Sequence, residues 1–242
     1  MIPPTSIDGT DITGATIDGT DVQEITVDGD VVFSGAPQLP TQNLIHRYDF
    51  SAASTTTTFV EDLAGSDHLT TGSFQGFRTL NGLQVGDFDN DFIEGSWSTT
   101  PSEPFSYAAV VRFDTDTRLN IISINGINKF LIPIAYVGTK NEYFIYQGNQ
   151  ENIQGPDPKI ERVYSTIFDN TDELFIDGVL RGSVNAGSDR PDGIRLGDDH
   201  QVRGFHLNGI IAEVLVYDSD LSSAPARSDV EAYLGSKWGI TI

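Results

Sequence analysis

Carboxylates dominate the side chains of this sequence that could do chemistry. Asp87-Phe88-Asp89-Asn90-Asp91 sets three of them at alternate positions, so an extended backbone would turn all three to one side. Calcium takes six to eight oxygens from carboxylates and carbonyls. Asp87, Asp89 and Asp91 are therefore the candidate ligands for Ca2+, with Phe88 and Phe92 anchoring the segment, and Asp198-Asp199-His200 is a second run of that kind. In so acidic a chain the default reading of such a run is a solvated edge. Glycoside hydrolysis asks for more: two carboxyl groups facing across the sugar, about 5–5.5 Å apart for retention. Glu213 and Asp218 bracket Val214–Tyr217, but their odd spacing puts them on opposite faces of a strand. His46, His68, His200 and His206 lie in no nucleophile motif, and no P-loop, Gly-x-Ser-x-Gly or His-Glu-x-x-His run occurs. The chain is expected not to be an enzyme.

Sugar binding needs an aromatic platform beside hydrogen-bonding groups. Trp97, in Gly95-Ser96-Trp97-Ser98-Thr99-Thr100, is a candidate, as are Tyr143, Tyr146 and the loop residues Asp198, Asp199, His200 and Arg203. The competing reading of each aromatic is core packing, which is the reading of Trp238.

The elements that must position these groups are strands. From Leu44 onward, short runs of Val, Ile, Tyr and Phe alternate with Gly, Asn, Asp and Pro. Strands are predicted at 44–50, 91–95, 105–113, 119–124, 130–137, 142–146, 162–168, 173–176, 179–184, 193–196 and 207–217. The near-continuous apolar run Tyr107–Val111 suits a central strand buried on both faces. Phe175-Ile176-Asp177-Gly178-Val179 reads as a hairpin with an Asp-Gly turn. One helix is predicted near the end, capped by Ser222 or Ser223, with Val230, Tyr233, Leu234 and Trp238 on its apolar face and Gly239 after it. Strands in this number with one terminal helix predict an all-β, double-sheet jelly roll over residues 44–242.

Residues 1–36 differ from the rest. Asp8-Gly9, Asp18-Gly19 and Asp28-Gly29 recur every ten residues, and Ile7, Ile12, Ile17, Val22, Val27 and Val32 every five. Asp-Gly between β-branched residues predicts tight hairpins. So small a ladder cannot bury its own apolar face, so those six aliphatic residues are candidate assembly contacts; a decorated flexible arm is the alternative. Pro37 and Pro40 mark residues 37–43 as a linker.

Asp and Glu number 35 against 14 Lys and Arg, a formal charge of -21. Well-behaved small domains carry roughly 2–8, and excess charge repels itself. In brine that cost shrinks, because the Debye length is about 3 Å at 1 M salt. The composition reads as adaptation to a hypersaline medium. It argues against nucleic acid, which needs clustered cations. There is no cysteine, hence no disulfide and no thiolate metal site. The apolar run 130–137 is too short to span a bilayer, and Met1-Ile2-Pro3-Pro4-Thr5 does not read as a secretory signal.

Three segments, Phe105–Val111, Leu174–Val179 and Gly209–Asp218, follow the order found in laminin-G-like, concanavalin A-like jelly rolls, and Val230–Ile240 resembles the C-terminal helix of such domains. This resemblance covers roughly residues 42–242 and implies the fold; that fold hosts lectins, adhesins, glycosidases and structural modules. Ile17–Val32 is similar to glycine-turn modules that open tailed-virus virion proteins. Together the two imply a surface protein of a virus of a salt-loving, archaeal host: a capsid turret or decoration, or a tail fibre. Its partners would be further copies of itself (a trimer, pentamer or hexamer), other virion proteins and a host-surface glycan or glycoprotein. Such a protein would be made in the host cytoplasm and reside on the virion surface. A cellular carbohydrate-binding or adhesion module of a halophile is the alternative.

Overall fold

The computed structural model describes strand segments between Ser6 and Ser34 and, beyond them, residues 36–53, 59–115, 118–119, 122–123, 135–137, 141–146, 150–185, 190–198, 206–222 and 226–242. The chain forms two compact units, Met1–Leu39 and Pro40–Ile242. In the first, three antiparallel pairs follow one another: β1 (Ser6–Ile7) with β2 (Thr10–Asp11), β3 (Thr16–Ile17) with β4 (Thr20–Asp21), and β5 (Glu24–Val27) with β6 (Asp30–Ser34). Ile7 pairs with Thr10, Ile17 with Thr20 and Val27 with Asp30. One Asp-Gly dipeptide of the sequence separates the strands of each pair, which is the ladder the ten-residue repeat predicts. The aliphatic side chains at Ile7, Ile12, Ile17, Val22, Val27 and Val32 lie outside the described residues.

The second unit contains β7 (Leu44–Asp49), β8 (Thr71–Gly72), β9 (Gly76–Leu80), β10 (Leu83–Asp89), β11 (Ile93–Ser96), β12 (Phe105–Phe113), β13 (Arg118–Leu119), β14 (Ile122–Ser123), β15 (Ala135–Val137) and β16 (Asn141–Tyr146). These are followed by β17 (Gln150–Gln154), β18 (Arg162–Phe168), β19 (Asp172–Ile176), β20 (Val179–Val184), β21 (Gly193–Leu196), β22 (Asn208–Tyr217) and, among the described residues, one helix, α1 (Ala226–Trp238). An eight-stranded sheet runs β20-β19-β18-β12-β22-β10-β9. The long strand β22 carries β12 along one edge. Its other edge is shared, with β10 pairing its first half and β7 its second. Two four-stranded sheets, β14-β21-β11-β8 and β13-β15-β16-β17, complete the unit.

Alternation explains the layers. Phe105, Tyr107, Ala109, Val111 and Phe113 of β12 point into the core, where they meet Ile93, Ile194 and Leu196 from one smaller sheet and Tyr143, Ile145 and Ile153 from the other. Each of the Val, Ile, Leu and Phe side chains among them stabilises the fold by about 1.5–3 kcal/mol on burial. Ala108 and Val110, on the opposite face of β12, are buried as well. They can be apolar because α1 packs on β12 and β18, lowering Val230, Leu234 and Trp238 onto that face. Glu231 also points down, against expectation, and Tyr233 is only half-buried. Arg227 pairs with both Glu231 oxygens at 3.1 and 3.0 Å and covers the Phe175 ring at 3.7 Å. Burial nevertheless holds the Glu231 carboxyl above its ordinary value.

Turn chemistry follows the sequence closely. Ile176 pairs with Val179 across Asp177 (φ 50°) and Gly178 (φ 76°), the left-handed pair that a type I′ hairpin requires. Asn81 (φ 49°) and Gly82 (φ 83°) do the same between β9 and β10. No helix among the described residues is long and apolar enough to cross a membrane.

Candidate functional site

Trp97 is not an exposed platform. It is 7% exposed, its indole Nε1–H donates to the Tyr48 hydroxyl at 2.8 Å, and its ring stacks on His46 at 4.4 Å. It sits at the end of an inward-facing alternation that starts at Ile93, so the strand directs it into the core. Tyr143 is also core: its hydroxyl donates to the Pro156 carbonyl at 2.7 Å, and burial pushes its phenol up to about 12. Tyr146 closes the same strand, and its side chain lies outside the described residues, as do Asp199, His200 and Arg203. Asp198 is buried, 2.9 Å from His206 and 3.8 Å from Arg195.

The three-aspartate run does not form one ligand face. Asp87 pairs with Arg78 at 2.6 Å. Asn90 then takes a positive φ of 59°, which ends the alternation and turns Asp91 inward. There Asp91 accepts hydrogen bonds from the backbone N–H of Gln75 (2.9 Å) and of Asp89 (3.3 Å), and burial raises its pKa. Asp89 is exposed and accepts from Asn208 at 2.9 Å. Among the described residues, no group of three or more His, Asp or Glu could hold a metal ion.

Glu213 and Asp218 are likewise apart in role. Glu213 is fully buried beneath α1. It accepts from Arg47 Nε (2.8 Å), Lys237 Nζ (2.7 Å), Trp238 Nε1 (3.1 Å) and the Tyr233 hydroxyl (3.1 Å). Asp49 completes this network through Arg47 and Lys237. Burial pushes the Asp49 carboxyl up, but hydrogen bonds from Lys237 and Ser51 and the charges of Lys237 and Arg47 bring it below its usual value. Asp218 instead accepts from the Ser102 N–H at 2.9 Å. These acids fasten elements together.

The side chains that do converge on open space belong to residues the sequence did not mark. A cleft of about 440 Å³ lies where β8 meets β11, lined by Ser66, Asp67, His68, Thr70, Thr71, Glu94, Gly95 and Ser96. Ser66, Thr70, Thr71 and Ser96 are exposed at its rim. The register sets Glu94 opposite Thr71 on one side and Arg195 on the other. Arg195 approaches Glu94 at 3.1 Å and rests on the Phe92 ring at 3.6 Å.

Asp62, which is buried, shapes the loop that carries Ser66, Asp67 and His68 to the cleft. Its Oδ1 accepts from the backbone N–H of Arg47, Ala64 and Gly65 at 2.9, 3.1 and 3.0 Å, and its Oδ2 lies 2.7 Å from His46 Nδ1. Burial pushes this carboxyl up, but those hydrogen bonds hold it below its usual value. Gly65 is required in that turn, since a Cβ would stand 2.6 Å from Asp62 Oδ2 and 2.8 Å from the Ile45 carbonyl. The Asp62 N–H donates to His68 Nδ1 at 3.0 Å, so that nitrogen keeps its lone pair and the ring proton sits on Nε2. The Tyr48 hydroxyl, itself receiving the Trp97 N–H, donates to the Asp67 carbonyl at 2.9 Å. The Asp67 carboxylate accepts from Ser98 through both N–H (2.8 Å) and Oγ (2.9 Å). The result is a pre-formed polar pocket that presents hydroxyls, one imidazole and two carboxylates, suited to hydrogen-bonding a polyhydroxylated ligand.

A second cleft, about 420 Å³, lies by the end of α1 and is lined in part by Asn81, Ile160, Arg162, Asp177 and Ile240. Its charged groups are engaged: Arg162 binds Asp177, Asp177 accepts from the Val163 N–H, and Glu161 pairs with Arg112 at 2.6 Å.

No protein-family model and no curated protein matches the chain. Solved structures do. Trypanosoma rangeli sialidase, in complex with 2,3-difluorosialic acid as a covalent intermediate, aligns at TM-score 0.60 and 11% identity over 96% of this chain and 37% of the sialidase. The ligand-binding domain of botulinum neurotoxin serotype D, in complex with N-acetylneuraminic acid, aligns at 0.57 and 14% over 84% of this chain and 55% of that one. Domain 4 of AbnA, a GH43 extracellular arabinanase of Geobacillus stearothermophilus in complex with arabinotriose, aligns at 0.50 and 13% over 79% and 98%. The chain therefore spans well under half of the sialidase. At such identities the likeness establishes the fold alone: an all-β jelly-roll sandwich with one C-terminal helix among the described residues.

Proposed function

We propose that this chain is a non-enzymatic, lectin-like module that binds a host-surface glycan in the cleft between β8 and β11, displayed on a virion surface as a turret, decoration or tail fibre. The cleft carries the reading. It combines exposed hydroxyls, an oriented imidazole and acceptor carboxylates on a rigid sheet, within a fold whose solved relatives include complexes with N-acetylneuraminic acid and arabinotriose. Binding without cleavage is supported by the carboxylates themselves. Glu94 is paired with Arg195 and Asp67 is held by Ser98, while Glu213 is buried in a structural network. The virion assignment rests on the ten-residue repeat and its three successive hairpins, which hold too little apolar surface to stand alone. It rests also on the charge of -21, which suits a briny medium. The test is a glycan array in molar salt, comparing the full chain with Ser96→Arg, which fills the cleft from an exposed position. Retention of glycans by the natural chain and their loss in the folded variant is the expected result. Blank arrays for both would refute glycan binding.

A further inference from the structure

Two features of the cleft bear on the charge of what it takes. The first is the sign of its ionisable groups. Asp67 and Glu94 both line it, and among the described residues no Lys or Arg does. The nearest cation on the same sheet is Arg195. It is held against Glu94 at 3.1 Å and Asp198 at 3.8 Å, with its flat face on Phe92 at 3.6 Å. Its charge is matched by carboxylates before any ligand arrives. The second feature is the rim. Ser66, Thr70, Thr71 and Ser96 are neutral hydroxyls that donate and accept equally well. His68 adds a neutral donor at Nε2.

Such a set fits uncharged sugar hydroxyls. A hydroxyl donates to Asp67 or Glu94 in a charge-assisted hydrogen bond and accepts from His68 or a rim serine. A sugar carboxylate would face Asp67 and Glu94, and among the described residues the cation beside them, Arg195, is already shared by Glu94 and Asp198, in a protein whose net charge of -21 already repels anions. Resting on the glycan-binding reading above, we infer that the cleft is selective for uncharged, polyhydroxylated sugars and discriminates against acidic ones. In this it departs from the sialic-acid derivatives present in the complexes of its sialidase and neurotoxin relatives.

The test uses the full chain and matched pairs of glycans on one array, each neutral oligosaccharide beside its sialylated or uronic-acid form. Measurements run at 0.1 M and 1 M NaCl. The expected result is at least tenfold tighter binding of the neutral member at the lower salt. The gap should narrow at 1 M, where the Debye length falls from about 10 Å to about 3 Å. Glu94→Gln, half-buried and isosteric, should also narrow it by weakening binding of neutral members less than it relieves repulsion of acidic ones. Equal or tighter binding of the acidic members in the natural chain overturns the inference and leaves glycan binding standing. Failure of both members of every pair to bind removes the glycan-binding reading and the inference with it.

Discussion

Removing the Glu213 carboxylate should unfasten α1 from the large sheet. Glu213 has no exposed surface and receives four donors, two of them the cations Arg47 and Lys237. Truncation to Ala leaves those cations facing only Asp49 and strands the Trp238 N–H beneath the helix. Breaking a buried ion pair from one side costs about 3–5 kcal/mol. For a chain of this size each kcal/mol moves the midpoint by roughly 2–4 °C, so Glu213→Ala should melt about 6–20 °C lower. Lys237→Met takes away one charged donor and leaves Arg47 in place, a loss of about 1.5–3 kcal/mol. The order of midpoints should therefore be natural chain, Lys237→Met, Glu213→Ala. Thermal unfolding followed by circular dichroism at fixed salt reads this directly. A Glu213→Ala protein that melts within about 2 °C of the natural chain would mean that Glu213 does not fasten α1 to the sheet. If that protein also lost glycan binding, Glu213 would be a functional acid and the placement of the site would be wrong.

Asp62 and Asp49 have carboxyl groups held below their usual values. Their stabilisation is thus complete above the unfolded value near 3.9 and is lost as pH falls through the folded values. Asp62→Asn should flatten the acid limb of a melting-temperature profile below about pH 4, and an unaltered limb would contradict that role. Trp97→Ala should cost about 3–5 kcal/mol as a core deletion while the folded fraction still binds glycan; denaturant titration with a binding assay separates the two, and intact stability with lost binding would restore Trp97 to the site. Deleting residues 1–39 should leave the melting of Pro40–Ile242 unchanged and abolish self-association, measured by analytical ultracentrifugation. Persisting oligomers would place the contacts in the jelly roll. Lowering salt from 1 M to 0.1 M should reduce the midpoint, since screening of the excess charge weakens, and a flat response would remove the case for a hypersaline habitat.

The fold was legible because its signals are local. The β12 run is apolar on both faces, the Asp177-Gly178 turn demands positive φ, and the stripe Val230, Leu234, Trp238 repeats at helical spacing. Strand β10 carries no such signal: Gly86, Asp87 and Asp89 interrupt its alternation, so only the Asn81-Gly82 turn could have announced the β9–β10 hairpin. The site was far less legible. Asp67, His68 and Thr71 are neighbours in the chain, but Glu94 joins them only because β8 pairs with β11. Nothing in their spacing encodes that register. The aromatics misled for a related reason, since Trp97 and Tyr143 have polar tips that could face a sugar, and only the tertiary fold supplies Tyr48 and the Pro156 carbonyl as their partners. The aspartate triplet failed at one residue, Asn90, whose positive φ breaks the assumed extended path.

Entry of ligand between β8 and β11 is tested most directly by backbone amide NMR of the full chain, titrated with a neutral glycan retained on the array. Shifts should concentrate at His68, Thr70, Thr71, Gly95 and Ser96 and vanish in Ser96→Arg. Shifts confined to Asn81, Arg162 and Ile240, around the other cleft, would contradict it.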